Sequence, residues 1–217
     1  MCPTPDYIIR ECTRSACRFR FPVERNNKRA LQCPKCGAPA HLVVEIPQSQ
    51  KFPEIKIPQS IILDAFLDNL RSTFNVGAIF RTADSVGFRN IYLCGITPTP
   101  DHPKIKKTAL GTEYTISWEY HRNSLDAAQM RKEQGAVLWA LEYTPQSISL
   151  YQAIGDIPNS PVTLVVGNER AGIDPGLLAL CDRVLWIPMH GQKESLNVAV
   201  AFSIAAYTLR YAREITR

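Results

Sequence analysis

At 217 residues with 45% hydrophobic content, the chain is long enough to bury a sizeable core and to carry a small appended module. Its formal net charge of +5 permits a nucleic-acid partner without demanding one. No apolar run approaches the roughly 18 residues that span a bilayer, and the N-terminus lacks the apolar core of a signal peptide, so no membrane partner and a cytoplasmic location are expected.

The charge excess is concentrated at the start: residues 1–46 carry eight Lys/Arg against four Asp/Glu, the remainder seventeen against sixteen. Cysteines cluster there too. Cys12 and Cys17 are separated by four residues, Cys33 and Cys36 by two, with fifteen between the pairs. In a reducing compartment this points to metal rather than to a disulfide framework. Two short-spaced pairs suit one tetrahedral zinc ion, each turn presenting two thiolates from one side. The CPKCG segment has the form of a tight knuckle, and Gly37 suits the positive φ such a turn often needs. His41 and Cys2 are alternative ligands, although neither completes a pair. A segment this short builds little core alone, so a structural metal explains how it folds. Residues 1–46 resemble a zinc ribbon. Arg10, Arg14, Arg18, Arg20, Arg25, Lys28 and Arg29, interleaved with Tyr7, Phe19 and Phe21, suit phosphate contact and base stacking, which makes RNA the expected partner. A solvated basic face is the plainer reading of the same residues. Four thiolates on Zn²⁺ leave a local charge of −2 and so offset half of the module's excess. Cys94 and Cys181 sit in apolar contexts and read as ordinary buried thiols.

Residues 47–60 hold three prolines and no sustained period, and read as a semi-extended linker. The main domain, 61–217, opens with an apolar strand at 61–67. Next, Asn75 is a good helix N-cap, Val76, Ile79, Phe80, Ala83 and Val86 recur at helical spacing, and Gly87 suits a left-handed C-terminus, which predicts a helix over 76–86. On it Gly77 and Arg81 share a face, leaving space for a ligand beside the guanidinium; periodicity alone favours a surface arginine. A strand at 90–96, a Pro-rich loop carrying Lys104, Lys106 and Lys107, a strand at 115–120, a polar helix at 124–134, a strand at 136–141 and a short helix at 147–154 follow. Strands alternating with helices give an α/β domain with a mainly parallel sheet.

The last third organises the chain. Strands at 162–166 and 184–187 each run into a polar loop with a glycine, GNERAG and MHGQKESLN, and the second feeds an apolar helix at about 195–210. Ligand crevices in open α/β sheets lie at the carboxyl ends of strands, so these loops are the candidate site. A phosphate loop, a dinucleotide fingerprint and a serine-hydrolase elbow are all absent. Glu169, Ser195, Asn197 and Arg81 remain as a polar set. The final helix is apolar nearly all round, which calls for burial against its own sheet and a partner subunit.

Three segments in order, NVGAIFRTADSVGF, LVVGNERAGI and IPMHGQKESLNVAVA, resemble the successive motifs of the SpoU (TrmH-type) RNA ribose 2′-O-methyltransferases of the SPOUT superfamily. The resemblance covers residues 61–217. It implies a deep trefoil-knotted, mainly parallel α/β sheet with flanking helices, S-adenosylmethionine as cofactor, tRNA or rRNA as substrate, and a homodimer. It also implies that Asn75, Arg81, Glu169, Ser195 and Asn197 serve catalysis, Arg81 at the target ribose, and that Leu141, Gly167, Asn168, Ile187, Met189 and Leu196 hold the cofactor. The sulfonium is already an activated methyl donor, so the enzyme must orient the 2′-OH and help remove its proton. Arginine stays protonated, so Arg81 stabilises developing charge, and an RNA phosphate between it and Ser195 is the candidate proton acceptor. Ser195 and Asn197 also read as capping residues of the last helix. A catalytically inactive RNA-binding assembly factor is the rival reading.

Overall fold

The computed structural model describes residues 7–46, 61–193 and 195–215, so Cys2 and the expected linker at 47–60 lie outside the described residues. The chain divides into two compact units, 1–57 and 58–217.

In the first unit β1 (Tyr7–Cys12) pairs antiparallel with both β2 (Arg20–Glu24) and β3 (Ala40–Glu45), giving the order β2-β1-β3. Among its described residues the buried apolar ones are Ile8, Cys12, Ala30, Cys33 and Ala40, and two of these five are cysteines.

The second unit holds a parallel sheet of seven strands: β4 (Leu63–Asp68), β5 (Asn90–Cys94), β6 (Ser117–His121), β7 (Val137–Leu141), β8 (Ile148–Ser149), β9 (Val162–Val166) and β10 (Arg183–Trp186). Their order is β6-β5-β4-β9-β7-β10-β8, and every pairing is parallel. Among the described residues six α-helices accompany it: α1 (Thr73–Val86), α2 (Pro103–Ala109), α3 (Ser124–Glu133), α4 (Leu150–Ala153), α5 (Pro175–Leu180) and α6 (Val198–Ile215). They cover both faces, as a parallel sheet requires. Leu63, Ala65 and Leu67 of β4 pack with Ile79 and Phe80 of α1 and Phe202 and Leu209 of α6. Phe66 packs on the opposite side with Ala128 of α3 and Leu177 of α5. Asp64 shares that second face, fully buried, with Arg131 at 2.6 Å and Arg89 at 2.5 Å compensating its charge.

Several boundaries differ from expectation for reasons of capping. α1 starts at Thr73 because the Ser72 hydroxyl accepts from Asn75 N at 3.3 Å; Asn75 is therefore a buried first-turn residue and not the N-cap. The Pro-rich stretch contains α2, since His102 caps Lys104 N and Pro103 occupies the first turn, where a missing N–H costs nothing. Lys104, Lys106 and Lys107 thus lie on a helix and not in a loop. α5 was not anticipated, although Asp174 and Pro175 give it the same start signal. The expected helix at 147–154 opens as β8 and turns into α4 through a Ser149–Gln152 capping box. α6 starts at Val198, and Asn197 caps it by accepting from Ala199 N (2.9 Å) and Val200 N (3.3 Å), so Ser195 is not a cap. Gly87 is left-handed, with φ of 75°, at the end of α1 as expected.

That end is closed by a residue from α6. Arg210, only 7% exposed, donates to Val86 O (2.7 Å), Gly87 O (2.6 Å) and Ile61 O (2.6 Å). It satisfies orphan carbonyls at a helix C-terminus, where a cation is also favoured by the helix dipole. Arg210→Met removes all three donors and leaves buried acceptors unpaired. A loss of about 3–5 kcal/mol is expected in denaturant unfolding; a loss within error of zero would show that water replaces the guanidinium.

Candidate active site

A cavity of about 940 Å³ opens at the carboxyl ends of the adjacent strands β9, β7 and β10. The chain past each strand end supplies its wall. Leu141, Gly167, Asn168, Ile187, Met189 and Leu196, the six residues expected to hold a cofactor, all line it, together with Glu169, Ser195 and Asn197.

The loop after β9 is a closed turn. Asn168 N and Gly172 O bond at 2.9 Å, as do Gly172 N and Asn168 O, while Asn168 Oδ1 accepts from Arg170 N (2.9 Å) and Ala171 N (3.0 Å). Asn168 Nδ2 reaches across to Asn69 O at 2.6 Å, anchoring the turn to the end of β4. Gly167 is required because any Cβ there would overlap the Gly172 and Ile173 backbone. Gly172, with φ of +73°, faces the Glu142 carboxylate, which accepts from Ile173 N at 3.2 Å.

Glu169 ties this turn to α1. Its carboxylate accepts from Arg71 N (2.9 Å), Ser72 N (3.0 Å) and Asn75 Nδ2 (2.9 Å), placing a negative charge at the helix N-terminus. Asn75 Oδ1 in turn accepts from Asn197 Nδ2 at 3.1 Å, and Asn197 caps α6. One hydrogen-bonded path therefore joins the three motif segments. Burial pushes the Glu169 carboxyl upward, but the donors Arg71 N, Asn75 Nδ2 and Ser72 N outweigh it and hold its pKa below the ordinary 4.5. With the folded value below the unfolded one, the stability this contact contributes is complete above the unfolded value and is lost as pH falls through the folded one. Accordingly the stability gap between wild type and Glu169→Gln should be widest near neutral pH and close as pH drops below 4.5. A gap that stays constant in denaturant titrations across that range would remove the carboxylate from this role.

Asn75, Glu169 and Asn197 are thus committed to holding the site together. Ser195 differs: it is exposed on the cavity wall, and its hydroxyl has no partner among the described residues.

Arg81 stands apart from all of these. It is exposed and lines a separate groove of about 310 Å³ with Ala78, Thr82, Ser85 and Tyr207, on the outer side of α1 and α6. The room expected beside it at Gly77 is not ligand space: a Cβ on Gly77 would overlap the Thr108 side chain, so that glycine serves α1–α2 packing. Sequence reasoning passed over Glu142, Tyr143, Arg170, Trp186 and Lys193, which also line the cavity. Trp186 is the last residue of β10 and the others lie in segments that follow a strand end, and that position was the available signal. Tyr143 and Trp186 meet edge to face at 5.6 Å.

In the N-terminal unit the Sγ atoms of Cys12, Cys17, Cys33 and Cys36 all lie within 4.8 Å of one another, with Cys12–Cys36 at 3.5 Å and Cys17–Cys33 at 3.9 Å. Zn–S bonds of about 2.3 Å place tetrahedral thiolates about 3.8 Å apart, so the donor set fits zinc. The residue after the second cysteine of each pair is left-handed, Arg18 at φ 44° and Gly37 at φ 70°. His41 is not among the four. The basic face is partly neutralised: Arg18 and Arg20 face Glu11, Arg25 faces Glu45, and Arg10 donates to Ala40 O. Phe19 and Phe21 stack at 6.1 Å with Lys35 over Phe19.

Residues 63–207 match the SpoU rRNA Methylase family over most of the seven-stranded unit. The chain belongs to the SpoU family. A 23S rRNA (guanosine(2553)-2′-O)-methyltransferase of Bacillus subtilis is 35% identical over 145 residues, 66% of this chain and 56% of that protein. A tRNA (guanosine(18)-2′-O)-methyltransferase of Aquifex aeolicus is 30% identical over 158 residues, 70% of each chain. Among solved SpoU-type structures, the A. aeolicus TrmH/SpoU tRNA modifying enzyme superposes with a TM-score of 0.63 at 28% identity, covering 71% of this chain and 76% of the other. An AdoMet-bound rRNA methyltransferase from Sinorhizobium meliloti gives 0.63 at 28% identity, covering 74% and 59%. The SpoU match begins beyond the cysteine-bearing unit. No helix among the described residues is long and apolar enough to cross a membrane.

Proposed function

We propose that the chain transfers a methyl group from S-adenosylmethionine to a ribose 2′-OH of tRNA or rRNA, working as a cytoplasmic homodimer with the SpoU family's trefoil knot and a zinc-bound N-terminal module. The observation that carries this reading is the convergence of the three motif segments on one cavity, joined by the path from Glu169 through Asn75 to Asn197. The cavity suits the cofactor: Leu141, Leu185, Ile187 and Leu196 offer apolar walls for an adenine ring, and the turns around Gly167 and Gly172 offer backbone groups. When bound, S-adenosylmethionine supplies an electrophilic methyl.

The chain's own residues do the rest. Glu169, Asn75 and Asn197 fix the relative positions of the β9 loop, α1 and α6, so the walls are preorganised. Ser195, with its hydroxyl unengaged, is placed to hydrogen-bond the incoming nucleotide. Glu169 is unsuited to be the general base, because both of its oxygens are occupied by donors and its proton affinity is lowered. In line with the family resemblance, the reading gives the proton to a phosphate of the RNA itself, held by Ser195 and by Arg81. Since Arg81 lies outside its own chain's cavity, the reading assigns it to the cavity of a second subunit. Exposed Phe74, Val200 and Tyr207 on α1 and α6 support such a partner.

Incubation with methyl-labelled S-adenosylmethionine and unmodified tRNA or 23S rRNA transcripts, followed by digestion to nucleosides, should yield a labelled 2′-O-methyl nucleoside. Cofactor binding without transfer to any RNA would favour the inactive assembly factor.

A further inference from the structure

Methylation of a ribose 2′-OH brings an anion with it, because the 3′-phosphodiester sits on the neighbouring carbon of the same sugar. A cavity that accepts this sugar therefore needs positive charge at its mouth. Arg81 does not line the cavity of its own chain. Two other cations do: Arg170 and Lys193, both exposed. Neither has an acidic partner among the described residues.

The two carboxylates on the same wall form no ion pair with them. Glu142 is engaged by Ile173 N and Tyr143 N, and Glu169 by Arg71 N, Ser72 N and Asn75 Nδ2. Both acids are turned to amide donors, backbone ones and the Asn75 side chain, while the cations are exposed to solvent. Their mounts differ from free surface charges. Arg170 stands in the closed turn 168–172, and its amide is held by Asn168 Oδ1 at 2.9 Å. Lys193 lies two residues before Ser195, whose hydroxyl is unengaged. Turn and loop border one opening, with the apolar wall of Leu141, Val166 and Leu185 beneath.

We infer that Arg170 and Lys193 clamp the RNA backbone beside the target ribose, Arg170 as a planar fork and Lys193 as a point charge. This rests on the methyl-transfer reading above and adds to it two positioning residues that grip phosphate. The rival occupant is the carboxylate of the cofactor's methionine half. Solvent exposure of both cations favours RNA, which covers the mouth and reaches them together.

The test uses the full chain with Arg170→Ala and Lys193→Ala. A mixed-sequence RNA oligonucleotide is titrated at several salt concentrations, and S-adenosylmethionine is titrated separately by calorimetry. Each substitution should weaken RNA binding roughly fivefold to tenfold and lower the slope of log affinity against log salt by about 0.7–0.9. Cofactor affinity should be unchanged, and the KM for RNA should rise by more than kcat falls. Arg170→Lys should recover part of the loss. Unchanged RNA affinity and slope would overturn the clamp, and so would a fall in cofactor affinity, which would give the cations to the methionine carboxylate. Absence of methyl transfer by wild type overturns the proposed activity instead, and the salt slopes still decide the clamp.

Discussion

Arg81→Ala is expected to lower methyl transfer at least about 100-fold, the scale of losing one preorganised donor at a site of developing charge, while cofactor affinity stays within about twofold. The second half follows from geometry: the residues proposed to hold the cofactor line the cavity at the ends of β9, β7 and β10, and Arg81 lines the groove on the outer side of α1 and α6. The first half requires a second subunit. Phe74, Ala78, Arg81 and Ser85 recur at helical spacing on α1, and Phe74 is 65% exposed; beside them Tyr207 of α6 is 45% exposed. Such a stripe of large apolar and small residues around one cation suits helix contact, and the proposal requires a two-fold pairing that carries each Arg81 to the other chain's Ser195. Mixing Arg81→Ala with Ser195→Ala chains then tests the assignment. If the two residues serve one site from different subunits, heterodimers regain one intact site each, and random mixing should restore about a quarter of wild-type activity. If they serve one site from the same chain, each heterodimer site lacks one of them and mixing restores nothing.

The strand pattern of the second unit was legible because its strands are short apolar runs broken by glycine and proline, and a parallel sheet covered on both faces demands such runs. Most residues of the cavity lining were legible in the sequence, but their hydrogen-bonding was not. Asn75 looks like an N-cap, yet Ser72 three residues earlier already meets that need, which frees the Asn75 amide to bridge Glu169 and Asn197. A one-dimensional reading has no means of choosing between two adequate caps. Gly77 illustrates the opposite error: its missing side chain suggested ligand space near Arg81, whereas α2, hidden in a proline-rich stretch, fills that space with Thr108. Glu142 and Arg170 escaped notice because their importance comes from strands distant in sequence ending side by side. The cysteine pairs were the reverse case, since spacing alone placed four thiols within reach of one ion.

Withdrawal of the zinc proposed for the four-thiol cluster is the perturbation with the largest expected consequence for the N-terminal unit. Among the described residues its apolar interior consists of Ile8, Ala30 and Ala40 together with Cys12 and Cys33, and three small or medium side chains cannot offset the ordering entropy of some forty residues. Structural zinc in comparable modules contributes about 10–16 kcal/mol of binding free energy, which is then folding free energy. A strong chelator should therefore abolish amide protection over β1, β2 and β3 while the seven-stranded unit keeps its protection. Purified chain should hold one zinc per molecule by atomic emission. Cys12→Ser and Cys33→Ser should each lose the metal and reproduce the chelated state, whereas His41→Ala should keep both metal and protection, because His41 lies outside the four-thiol cluster. Persistent protection of β1–β3 after complete metal removal would mean that the three-stranded sheet is held by something other than its thiolates, and the zinc assignment would fall with it.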